Sequence, residues 1–128
     1  MVLMNFGRCD MTNEKTTSID ELARALLADG GAIVGQYTMN LWDENASFTE
    51  VPKPDPATYE ELVVSAALLE LFAARRNEPP PAWTSKVGGL TQPRFLMGGY
   101  EKKYPKRRER WLRESPEPLK KRNLFASA

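Results

Sequence analysis

Histidine is absent from the 128 residues of this chain. That removes the commonest general base, the usual partner of a catalytic serine and the usual nitrogen ligand of zinc. Cys9 is the single cysteine, so an intrachain disulfide and a multi-cysteine metal site are both excluded, which suits a reducing cytosol. No apolar run approaches the roughly 18 residues needed to span a bilayer, and Met1 to Asp10 lacks the apolar core of a secretory signal. The expectation is a soluble, cytoplasmic protein with no membrane contact, no cofactor and no metal.

Catalytic motifs are also missing. The Gly88-Gly89 and Gly98-Gly99 pairs lack the spacing of a dinucleotide loop, and there is neither a phosphate-cradling glycine loop nor a G-x-S-x-G elbow. Paired carboxylates occur at Asp43-Glu44 and Glu60-Glu61, where adjacent acids at helix ends read as caps. The sequence therefore points to a binding protein and not to an enzyme.

What is present is a segregation of charge beneath a formal net charge of +1. Residues 101 to 128 hold ten Lys/Arg against four Glu, a net of +6, so the first 100 residues sum to −5. Such a dipolar chain sets up a local field able to attract phosphate or an acidic protein face. Ten prolines require long non-helical connections between the helices.

Along the chain, residues 1–17 read as a flexible N-terminal extension and 18–128 as a single helical domain ending in a basic segment. Ser18-Ile19-Asp20-Glu21 is a capping box that opens an amphipathic helix closed by Gly30-Gly31. A second helix is predicted from Ala32 to Asp43, and Asn45 to Ala57, with Pro52, Pro54 and Pro56, reads as an extended surface linker. Thr58 caps a central helix to Arg76 that is apolar nearly all round and so must be buried all round. Asn77 to Gly99 is an irregular Pro/Gly-rich loop. A short basic helix over Lys106 to Glu114 and a final turn begun by Ser115-Pro116 follow. The predicted fold is all-α, a small bundle of four to five helices with that long loop.

The candidate partner-binding residues are Trp83, Arg94, Phe95, Arg107, Arg108, Trp111, Lys120, Lys121, Arg122 and Phe125. Trp83 stands on a rigid Pro79-Pro80-Pro81 frame and reads either as an interface anchor or as a core plug. The cations, with Arg110 and the interleaved aromatics Tyr104, Trp111 and Phe125, have the types that neutralise phosphates and stack on bases, which keeps nucleic acid open as an alternative partner. Glu109, Glu114 and Glu117 lie among them at spacings that allow local ion pairs.

Leu71-Phe72-Ala73-Ala74-Arg75-Arg76, then Pro80-Pro81-Ala82-Trp83-Thr84, Pro93-Arg94-Phe95, and finally Arg113-Glu114-Ser115-Pro116 with Leu119-Lys120-Lys121-Arg122-Asn123-Leu124-Phe125 form an ordered series. In this series the chain resembles a group of small uncharacterised bacterial helical proteins from about Tyr59 onward. The resemblance implies an antitoxin-like subunit of a toxin-antitoxin module that acts by contact with a nucleotidyltransferase-like toxin. Some members of the group carry a five-helix repressor domain at the N-terminus. Ser18 to Asp43 is too short for one and has no basic recognition helix.

Overall fold

The computed structural model describes residues 17–28, 32–55, 58–96 and 105–126. The first helix, α1 (Ile19–Leu27), starts where expected. The Glu21 carboxylate reaches back to accept from the Ser18 amide at 2.9 Å and its hydroxyl at 3.0 Å, satisfying donors that the first turn leaves open. Ile19, Leu22 and Ala23 are buried because three- and four-residue spacing puts them on one face. The predicted Gly30-Gly31 stop lies outside the described residues.

Of the predicted N-terminal extension only Thr17 is described, and it is not loose. Its amide donates to Glu44 Oε1 at 3.0 Å and its hydroxyl accepts from Asn40 Nδ2 at 3.1 Å. Both partners belong to the second helix, α2 (Ala32–Glu44).

The segment after α2 is less superficial than its prolines suggest. Phe48 is fully buried and stands edge-on to Trp42, with ring centroids 5.1 Å apart, and tilted against Phe72 at 5.4 Å. Arg76 lies over both rings, 4.4 Å from Trp42 and 4.3 Å from Phe48. Its guanidinium donates to the carbonyls of Trp42, at 2.6 Å, and Asn45. A cation at the carbonyl end of α2 complements the helix dipole while stacking on aromatic faces. One arginine thus ties the linker to the end of the central helix.

That central helix, α3 (Tyr59–Arg75), opens with Thr58 Oγ1 accepting from the Glu61 amide at 3.1 Å. Glu61, itself buried, also meets Arg24 of α1 at 3.3 Å. Val63, Val64, Ala66, Ala67, Leu68, Leu69, Phe72 and Ala73 are all buried, as the missing polar face requires. The helix stops at Asn77, whose φ of 58° is the left-handed conformation that ends helices, and the Glu78 amide returns to the Ala73 carbonyl at 2.9 Å.

A 3-10 helix, Ala82–Lys86, follows the triple proline. Beyond it the chain forms the strand β1 (Arg94–Phe95), then the helices α4 (Pro105–Glu114) and α5 (Glu117–Lys120), and the strand β2 (Leu124–Phe125). The two strands pair in parallel, with Arg94 opposite Leu124 and Phe95 opposite Phe125. The fold is mostly helical, as expected, with five α-helices among the described residues, and differs from the all-α expectation by this short sheet. A two-residue strand is too short for alternation to register in the sequence. Asn123, at φ 64°, turns the chain into β2, and its side-chain amide donates to the Leu90 carbonyl at 2.7 Å. Gly89 allows the close approach, since a Cβ there would stand 2.7 Å from Arg122 Cα.

Candidate interaction surface at the basic end

The C-terminal residues picked out by charge divide into two sets, one folded into the core and one facing outward. Arg122 belongs to the first. It is 3% exposed and forms a two-pronged pair with Glu70 of α3, Nη1 to Oε1 at 2.8 Å and Nη2 to Oε2 at 3.0 Å. The same guanidinium donates to the carbonyls of Thr84 at 2.9 Å and Pro118 at 3.1 Å, leaving Nε the buried side-chain nitrogen with no partner among the described residues. Lys121 Nζ adds a third contact to Glu70 at 2.9 Å. Burying a charge is tolerated only with such pairing.

Burial alone would push the Glu70 carboxyl up. The hydrogen bonds from Arg122 and Lys121, with the Arg122 charge, outweigh it and hold the group down at about 2. Because the folded value lies below the ordinary value of 4.5, the stabilisation is fully present above pH 4.5 and is lost as pH falls toward 2. Acid titration of stability should therefore show a loss on the order of 3 kcal/mol across that window. Glu70→Gln should flatten this limb in urea melts taken between pH 5 and 2.

Phe125 and Trp111 also point inward, at 6% exposure each. The half-buried Phe95 joins them, 5.4 Å from Phe125 and 6.4 Å from Trp111. This aromatic trio, with Ser115 Oγ accepting from the Ala126 amide at 3.0 Å, fastens α4 to the sheet. Trp83 is the core plug of its two readings, because it is half-buried and its Nε1 donates to the Val51 carbonyl at 2.9 Å. Arg94 pairs with Glu60 at 3.1 Å and donates to the Leu27 carbonyl at 3.0 Å. Lys120 Nζ donates to the Arg113 carbonyl at 2.9 Å. Of the candidate residues, the rings of Trp83, Trp111 and Phe125 and the charge of Arg122 are thus engaged inside the chain, whereas Arg94 is paired at the surface with its side chain 39% exposed.

The outward set sits on α4. Arg108 is exposed and rests over the Phe95 ring at 5.4 Å; the side chain of Arg107 lies outside the described part. Lys106, Arg110 and Arg113, exposed throughout, fall at i, i+4 and i+7 and so form one stripe on the side away from Trp111. Arg113 contacts its neighbour Glu114 at 3.4 Å with both side chains more than half exposed, a pairing worth little in water. Lys106 and Arg110 make no ion pair among the described residues.

Sequence reasoning missed Glu70, and a signal for it existed. Beyond the first turn of α3, Glu70 is the one carboxylate in an otherwise apolar, buried stretch, and such a group demands a cation from elsewhere in the chain. Charge counting does not single out Lys106 and Arg113, because it does not separate the outward face of α4 from its inward one.

Protein-family models, curated proteins and solved structures yield no match to this chain. The resemblance described above thus rests on its motif residues alone. No described helix is long and apolar enough to cross a membrane.

Proposed function

We propose that this protein is a non-catalytic binding subunit, antitoxin-like in action, that engages an acidic face of a partner protein through the outer stripe of α4. The observation that supports this reading is the division of the basic end. Lys121 and Arg122 are consumed by Glu70, whereas Lys106, Arg110 and Arg113 stand in line on a helix anchored from behind by buried aromatics. Side chains held at regular spacing on a rigid helix bind at lower entropic cost than a loose basic tail. Three cations on one face also steer encounter with an opposite charge.

The test is affinity capture with the full chain at low salt, with and without nuclease, against the variant K106E/R110E/R113E. The expected result is a nuclease-resistant protein held by the native chain, released by about 0.5 M salt as exposed charges are screened, and not held by the variant. Capture abolished by nuclease would replace this reading with the nucleic-acid alternative, for which affinity falls steeply with log salt. Capture indifferent to the triple substitution would overturn both.

A further inference from the structure

A cleft of about 330 Å3 opens between α2 and α5. Leu26 of α1, Val34 of α2, Leu71 and Phe72 of α3, and Leu119 of α5 line it, so four helices contribute to one apolar hollow. Thr38, also on the wall, spends its hydroxyl proton on the Val34 carbonyl at 2.8 Å. Arg75 is the one charged residue of the lining; it is exposed and makes no ion pair among the described residues.

We infer that this cleft is a binding site for a small amphipathic carboxylate, its alkyl chain among the leucines and its head group on Arg75. The volume falls at the lower end of the range typical of small-molecule sites, and a mostly apolar lining with one charged group at the edge is their usual composition. A planar guanidinium receives a carboxylate through two parallel hydrogen bonds, which gives the head group a fixed place. Affinity should climb roughly fourfold with each further methylene buried, until the hollow is filled. The site is independent of the α4 stripe and holds whether or not that stripe binds a protein.

Hexanoate, octanoate and decanoate, each below its aggregation threshold, test this by amide-resolved NMR titration of the full chain, with decylamine as the cationic control. Saturable shifts confined to the neighbourhood of Val34, Leu71 and Leu119, tightening from six to ten carbons, are expected. Arg75→Gln, an exposed change that leaves the packing intact, should weaken decanoate about tenfold, in line with loss of a charge-assisted contact. Leu71→Trp, which fills the hollow, should abolish the shifts while the thermal melt shows the chain still folded. Absence of saturable shifts with every acid, or equal binding of decylamine, would overturn the inference.

Discussion

Arg122→Ala should remove on the order of 3 kcal/mol of stability, the cost of leaving the Glu70 charge buried with Lys121 as its one remaining cation. For a domain of this size that is a large part of the total. The loss exceeds that of an exposed arginine because the guanidinium gathers α3, the 3-10 helix and the C-terminal turn at a single point, through Glu70, Thr84 and Pro118. Arg122→Lys keeps the charge but cannot reproduce the two-pronged geometry, and should fall between. Glu70→Ala/Arg122→Ala should cost less than the sum of the single changes, because neither charge is then orphaned. Urea denaturation of the native chain, the two Arg122 variants, Glu70→Ala and the double variant checks this, and a loss below about 1 kcal/mol for Arg122→Ala would show that the pair is solvated and incidental.

Phe48→Ala is the second large effect, again about 3–5 kcal/mol. The ring is fully buried, and its removal opens a cavity beside Phe72 while depriving Arg76 of one of its two aromatic faces. Phe48→Leu, which keeps most of the volume but not the ring face, isolates the cation-aromatic share, about 0.5–2 kcal/mol. Trp42, edge-on to Phe48, reports the change directly, so its fluorescence should move with the denaturation curve. An unchanged midpoint for Phe48→Ala would mean that the segment after α2 contributes nothing to the core.

How far these features can be read from the sequence depends on the range of the interaction that makes them. Capping at Ser18 and Thr58, the span of α2 and the burial of α3 follow from residues within one or two turns of each other, where periodicity and hydrogen-bond chemistry act locally. Arg122 and Glu70 are 52 positions apart, and nothing in the run Lys120-Lys121-Arg122 distinguishes the buried cation from its exposed neighbours. The parallel pairing of Arg94-Phe95 with Leu124-Phe125 is likewise non-local and only two residues long. Phe48 lies just before prolines that rule out a helix interior but say nothing about which side chain turns inward. As for the candidate surface, composition locates the basic end, whereas the three-dimensional path of the chain decides that Lys106, Arg110 and Arg113 are among the cations left exposed along α4.

Charge-matched reversal puts that face most directly to the test. Partner affinity, measured at about 0.15 M salt for Lys106→Glu/Arg110→Glu, should drop at least tenfold against the native chain, while Lys53→Glu/Lys86→Glu, which changes net charge equally at two exposed positions, should bind within about twofold, since charges farther from the contact than a Debye length of about 8 Å are screened. Equal losses in the two variants would mean that only overall charge matters, contradicting a stripe built for contact.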